Sequence, residues 1–556
     1  MRTKKQANGL AAQAVAGTHV VILGWDITDG SVAKTLLGFA IQRFDITENE
    51  TYWLRGMKTF PNTVPPLEPG GNASSHEQPI QSFQWGDYTA KPEHQYQYTI
   101  IPMYGKLGAL TDGKPITLDV TTETEWGVPH SVFFNRGAIA SQEYARRFQN
   151  KKPSEVGDAA YTWLSRGLFE SLIAFIQKAK DQHFALRGAI YEFQWPDVLD
   201  ELKRANGRGA DVQFIYDAIK NAKSDPVDKN ETAIATAKIK GLCTGFRNGK
   251  LMHNKFIVLL KNDKPIAVWS GSTNITENGI FGHLNCGHAI EDPNIASDYL
   301  AYWTELQGDP GTAAIKTWTD QNTPAPANPP PVGIKEVFSP QTGLTTLNQY
   351  GDIANRAKRG LFMTFAFGMN NVFQKVYEQN DGVLRFSLME KEGNGAGLAQ
   401  GKIDIARIRK LPNVLVAIGH NIMLNAFDRW LKEASSAVAK ANVHWVHTKF
   451  MLVDPLSADP IVISGSANFS GASTDTNEEN MLVIRGDTRV ADIYFGEFMR
   501  SFAHYAFREA VFIHQQSGAA ADDWKPQFLA TDASWMKSYM VPGSPGELKR
   551  KYFSGN

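Results

Sequence analysis

Two short stretches constrain this chain more than anything else in it. "MHNKFIVLL" (252–260) and "VHTKFMLVD" (446–454) each place a histidine and a lysine two apart, ahead of a phenylalanine and an apolar run: His253 with Lys255, His447 with Lys449. Further on, "SGSTN" (270–274) answers "SGSAN" (464–468). Ser272 and Ser466 each lie 19 residues after their histidine, and Asn274 and Asn468 each lie 21 after it. A lone His-x-Lys is a common surface accident, and a lone Gly-Ser-x-Asn is usually a turn. Neither explains a registered pair, which implies two copies of one unit 194 residues apart.

The texture around the motifs agrees. "GLFESLIAFIQKAK" has helical spacing, "FALRGAIYEF" reads as a strand, "PDVLDELKRANGRG" as a helix ended by glycines and "DVQFIYDA" as a strand. After the proline-rich "NTPAPANPPPVG" (322–333), which suits neither helix nor central strand, the order restarts. "DIANRAKRG" reads as helix, "LFMTFAFG" as strand, "NNVFQKVYEQ" as helix and "VLRFSLME" as strand. Two α/β halves are expected, at 151–320 and 335–514, joined by a linker over 321–334. Before them, "HVVILGWDI", read as the first strand, "LLGFAIQRFDI", "TYWLRGM", "QYQYTIIPMYG" and "ITLDVTTET" are short, turn-separated runs. They predict an all-β sandwich of immunoglobulin or fibronectin-III type within 1–150. Residues 515–556 read as irregular, with Trp524, Phe528 and Trp535 packing on a surface.

Composition excludes several classes. A chain of 556 residues exceeds one core. Lys plus Arg equals Asp plus Glu at 57 each, so no global positive field draws it to nucleic acid or anionic membrane. Two cysteines, Cys243 and Cys286, build neither a disulfide framework nor a structural zinc site and fit a reducing compartment. Gln13, Gly17, Thr18 and His19 interrupt the N-terminal apolar run too early for a signal peptide, and no run reaches membrane-span length. A cytoplasmic protein with no integral membrane span is expected, with secretion and the oligomeric state left open.

The constellation resembles the phospholipase D superfamily, marked twice by His-x-Lys, four residues, Asp, then Gly-Ser-x-Asn. The resemblance covers about residues 160–510 and implies a phospholipase D-like α/β fold. The second copy is full: His447, Lys449, Asp454, Gly465, Ser466 and Asn468. The first has Leu260 where the aspartate belongs. A family glutamate is matched by Glu479, 11 residues past Asn468, whereas the same step past Asn274 reaches Asn285.

A phosphodiester is shielded by its own charge, so cleaving it without a metal needs cationic donors, a nucleophile and an acid for the leaving oxygen. Two lysines, two asparagines and two serines supply donors; one histidine attacks phosphorus and the other serves as acid and base. Each half holds one histidine and one lysine, so the site belongs between the halves. The resemblance implies independence of metal, and no cofactor is expected. A carboxylate such as Glu479 backing His447 favours the imidazolium, which suits an acid, and a neutral partner such as Asn285 backing His253 favours a neutral ring, which suits a nucleophile, so His253 is expected to form a phosphohistidine and His447 to act as acid and base. Glu192, in the strand "AIYEF", either lines the site or serves structure. His288, His420 and His444 read as core or rim residues; Arg187, Arg247 and Lys250 read as rim or solvated charges.

The superfamily implies three functions. The first is phospholipase D-type hydrolysis or transphosphatidylation of a phospholipid at a membrane surface, favoured by the neutral charge and the appended sandwich. The second is a nuclease, which needs a basic channel beyond the motif lysines. The third is a binding module with a degenerate site, opposed by the intact His253, Lys255, His447 and Lys449.

Overall fold

The computed structural model describes residues 1–67, 71–137, 141–149, 151–220, 226–393, 397–419, 446–516 and 528–556, without side chains at 141–142, 508 and 511–516. His420, His444 and Trp524 lie outside the described residues.

Each half is built on a seven-stranded sheet, and the two sheets have the same order. In the first, the sequence across the sheet is His130–Phe134, Cys286–Ile290, Lys264–Gly271, Lys255–Lys261, Phe184–Ile190, Asp211–Asp217 and Cys243–Phe246. In the second it is Gly333–Ser339, Glu479–Arg485, Ile461–Gly465, Phe450–Val453, Gly360–Phe365, Leu384–Met389 and Val414–Ile418. Central strands such as Gly360–Phe365 and Leu384–Met389 are buried at every position, so they read as unbroken apolar runs instead of alternating. Helices cover the faces. Leu168–Gln177 buries Leu168, Ser171, Leu172, Phe175 and Ile176, at steps of three and four. Pro293–Gln307, whose N-terminal amides of Asn294 and Ile295 are accepted by the Asp292 carboxylate, buries Ile295, Tyr299, Tyr302, Trp303 and Leu306. One hydrophobic core runs through both halves and includes Phe256, Val258, Phe450 and Leu452 from the motif strands.

The structure revises several boundaries. His130–Phe134 is already an edge strand of the first half, antiparallel to Cys286–Ile290, so that half starts before residue 151. It is short, fully buried and follows directly on the sandwich, so no compositional shift announces it. Val21–Ile27 is not the first strand, because Arg2–Ala7 and Leu10–Ala16 form a hairpin ahead of it. The predicted helix at "DIANRAKRG" lies earlier, at Thr345–Ala354. The amides of Lys358, Arg359 and Gly360 turn instead to the carboxylate of Asp454.

The amino-terminal region is two antiparallel sheets that share one core around Trp25, Phe39, Tyr96 and Tyr98. The tail beyond 528 is more ordered than its sequence suggests. Trp535 stacks on Phe83 inside the sandwich, and the helix Pro545–Ser554 bridges the sandwich and the second half through Tyr552 and Phe553. A Cβ on Gly24 would meet the Phe553 backbone oxygen at 2.1 Å, so that glycine is what lets the helix seat. Among the described residues, no helix is long and apolar enough to cross a membrane.

Candidate active site between the halves

Both motif strands begin at the seam, and the seam is made by backbone pairing. Met252 bridges Glu478, and 194 residues on, Val446 bridges Leu284. His253 N donates to Glu478 O (2.9 Å), and His447 N donates to Leu284 O (3.3 Å). Asn480 fastens one side: its Nδ2 donates to Asn254 Oδ1 (2.9 Å), and its Oδ1 accepts from Ser270 Oγ (2.5 Å) and Tyr299 Oη (3.1 Å). Buried carboxylates hold the approach to each motif. Asp217 Oδ1 accepts from Met252 N (3.1 Å) and Glu390 Oε2 accepts from Val446 N (2.9 Å).

The histidines take their partners from the opposite half. His253 Nδ1 lies 2.7 Å from Glu479 Oε2, and His447 Nδ1 lies 2.9 Å from Asn285 Oδ1. This reverses the pairing expected from spacing, which shows which residues recur but not across which boundary they face. Asn285 and Glu479 stand at or beside the leading ends of strands that meet the other half. The Asn285 amide is oriented by its surroundings: Nδ2 donates to Gly279 O (2.7 Å), and Oδ1 accepts from Ser272 Oγ (2.8 Å). Facing an acceptor, His447 Nδ1 carries its proton, which leaves Nε2 as the working atom; the Glu479 carboxylate fixes His253 in the same sense.

The lysines obey the same symmetry. Lys255 Nζ donates to His253 O (2.6 Å) and Lys449 Nζ to His447 O (2.7 Å), leaving each ammonium further N–H donors. Burial dominates the electrostatics. It pushes Lys255 down to about 8, although Glu479, Glu192 and Asp217 pull it back up. Lys449 is held well below its ordinary value by burial and then by Lys255. His253 falls to about 4 through burial, against the pull of Glu479, and His447 falls well below the usual range through burial and the charges of Lys449, His283, Lys255 and His253. That His447 feels His253 and Lys255 brings both motifs into one electrostatic site. Each histidine is 7% exposed, so the site is open only at a narrow mouth.

The remaining motif residues divide. Asn274 Nδ2 donates to Glu192 Oε2, and Asn468 Oδ1 is buried without a hydrogen-bond partner. The serines brace neighbouring strands: Ser272 Oγ accepts from Cys286 N (3.1 Å) and Ser466 Oγ from Asn480 N (3.0 Å). Asp454 is not at the histidine end of its strand. It follows the strand Phe450–Val453 at its far end and caps the 358–360 turn. Its counterpart Leu260 is buried in the shared core. Sequence reasoning missed Asn480 and Glu478. Glu478 follows a polar turn and offered no signal, yet burial and the charges of Asp217 and Glu479 push its carboxyl up to about 8. His288 is a core residue, bonded to His130 (2.8 Å) and Tyr494 (3.1 Å). Among the described residues, Asp45, Glu48 and His94, in the sandwich, are the group whose donor atoms converge closely enough for a metal. There His94 already bonds Asp45, and Lys91 bonds Glu48.

Two pseudo-symmetric halves thus each bring a histidine and a lysine to one shared site at the seam. A family model described as "Cardiolipin synthase, PLD-like domain" matches residues 172–306 and 416–502, one segment in each half. The two matched segments are of phospholipase D-like type and together cover 222 of the 556 residues. No curated protein matches it. Among solved structures it is similar to a polyphosphate kinase from Porphyromonas gingivalis (10% identity, TM-score 0.38, 60% of this chain and 48% of that one). It is also similar to the phosphatidylserine synthase of Haemophilus influenzae Rd KW20 (12%, 0.43, 65% and 92%). A third is Nuc from Salmonella typhimurium, a phospholipase D family member (24%, 0.22, 25% and 87%). The chain spans about half the length of the polyphosphate kinase.

Proposed function

We propose that this protein cleaves or exchanges a phosphodiester through a phosphohistidine on His253, without a metal. The crossed pairing of the histidines carries the reading. His253 is neutral at pH 7, and its Nε2 lone pair attacks phosphorus as the P–O ester bond breaks. The positive charge that grows on the ring is stabilised by Glu479, which already accepts from Nδ1. In the substrate complex the negative charge of the phosphodiester favours the imidazolium of His447, which then donates its Nε2 proton to the leaving alkoxide, releasing an alcohol. Its partner Asn285 is neutral and does not stabilise the imidazolium, so the ring is a strong acid. The neutral His447 then takes a proton from water or a second alcohol, which attacks phosphorus and frees His253. Lys255, Lys449, Asn274 and Asn468 hold the non-bridging oxygens. The roles match those first assigned, but the reason is inverted: the nucleophile has the charged partner and the acid the neutral one.

The substrate is proposed to be a phospholipid, with hydrolysis or alcohol exchange as the outcome. The balanced charge and the name of the matching family support this. The amino-terminal sandwich is read as an immunoglobulin- or fibronectin-III-type module. Its support is a strand order in which Leu10–Ala16, Val21–Ile27 and Gln84–Asp87 share one sheet while Gly38–Asp45 and Gln95–Lys106 pair in the other.

The test is phosphoryl trapping. Radiolabelled phospholipid vesicles with a primary alcohol, and separately single- and double-stranded DNA, are offered in EDTA, and reactions are quenched in base, where phosphohistidine survives. Label on wild type, lost in His253→Ala and retained in His447→Ala, is expected, with alcohol-exchanged lipid as product. Label on His447 would reverse the roles. DNA cleavage without lipid turnover would replace the substrate, and activity abolished by EDTA would remove the metal-free mechanism.

A further inference from the structure

The two halves are unequal at one more pair of positions. Ile190 pairs with Lys255 in the first sheet; in the second, Met363 pairs with Met451, a register that puts Phe365 opposite Lys449. The parallel neighbours agree: Ile190 pairs with Tyr216 and Phe365 with Met389, each just before the carboxylate that holds the motif, Asp217 or Glu390. Counting onward, Tyr191 stands where Ala366 stands, and Glu192 where Phe367 stands.

These replacements lie at the mouth of the site. The Tyr191 ring is 4.9 Å from the His253 ring, and Lys255 Nζ is 5.2 Å from its face. Glu192 Oε2 accepts from Asn274, one of the phosphate-holding amides, and Oε1 accepts nothing from the described residues. Its charge acts on both Lys255 and Lys449. In the other half, Phe367 is 39% exposed with Lys391 Nζ 6.0 Å from its ring, and Asn468 Oδ1 has no hydrogen-bond partner among the described residues. A carboxylate next to a bound phosphodiester is repelled by it. Chemistry of the phosphate alone gives no use for one, and the position equivalent to Glu192 in the second half is Phe367, which has none. A carboxylate there has a use when the substrate brings a hydrogen-bond donor to it.

We infer that Glu192 is a specificity-determining residue: it accepts a hydrogen bond from an ammonium or hydroxyl group carried by one of the alcohols esterified to the phosphate. Phe367, at the equivalent place, marks the side that takes an apolar group. This rests on the phosphodiesterase reading above.

The test uses four p-nitrophenyl diesters with one leaving group, the second alcohol being ethanolamine, glycerol, ethanol or p-nitrophenol. Wild type is expected to prefer the ethanolamine or glycerol ester over the ethyl ester by roughly tenfold or more in kcat/KM, the scale of a hydrogen bond to a charged group. Glu192→Ala is expected to bring all four within about threefold. Glu192→Gln, which keeps the shape, is expected to lose the ethanolamine preference while the ethyl ester holds within threefold of wild type. Equal losses on every ester would overturn the inference and reduce Glu192 to a residue that positions Asn274. No wild-type turnover of any ester above that of His253→Ala would overturn the phosphodiesterase reading itself.

Discussion

Glu479→Gln keeps the shape of the side chain that backs His253 and removes its charge. The bond lost is a buried 2.7 Å contact between a carboxylate and an imidazole that, in the proposed mechanism, becomes positive as it attacks phosphorus. Hydrogen bonds to charged groups contribute about 1.5–3 kcal/mol, so kcat/KM falls by roughly 10- to 150-fold. A second effect separates this from simple misplacement. Glu479 also raises Lys255 and Lys449, which burial pushes down. Without it, Lys255 drops further below its value of about 8 and gives up its proton at lower pH. The alkaline limb of the pH–rate profile therefore moves toward neutrality. The assay is steady-state hydrolysis of bis(p-nitrophenyl) phosphate from pH 5 to 10, with far-ultraviolet circular dichroism as the folding control. A folded variant within threefold of wild type, with its alkaline limb unmoved, would refute the assignment of Glu479 to the nucleophile.

Four further outcomes are expected. Tungstate, a phosphate-like dianion, binds best while Lys255 is charged, so its calorimetric affinity is level below pH 8 and falls as pH rises through about 8. Glu497 is buried between Arg166 (2.7 Å) and Arg500 (2.8 Å), which hold its carboxyl down at about 2 from an ordinary 4.5. Its contribution is fully present above pH 4.5 and lost as pH falls toward 2, about 3 kcal/mol in all, so Glu497→Gln flattens the acid limb of an unfolding-versus-pH series. Asp454→Ala lowers stability by about 1–3 kcal/mol in urea titration by freeing the amides it caps, and leaves kcat on soluble diesters within about threefold. Leu260→Asp, which restores the family residue, buries an unpaired carboxyl in the core and is the more damaging change.

The repeat, the strand–helix order and the motif residues were legible because each leaves a mark on local sequence. Apolar runs announce buried strands, and matched spacing announces duplication. The partner exchange was not legible. Asn285 and Glu479 occupy equivalent registers, and a linear reading assigns each to its own histidine; only the docking of one sheet edge on the other sends them across. The first edge strand was hidden for a related reason, since five buried residues next to a β-sandwich look like more sandwich. Asp454 stands close to His447 and Lys449 in sequence but not in space. An extended strand adds about 3.3 Å per residue, and that alone carries it to the opposite end of the sheet.

The crossed pairs make each half the judge of the other. A chain cut in the proline-rich linker yields two pieces that each own a histidine, yet each histidine has left its orienting group behind in the other piece. A slip of about one ångström along the seam lengthens both bonds together, because both run across it. In the proposed mechanism turnover therefore reports the register of the two halves, and a misassembled molecule is silent without any separate device to switch it off.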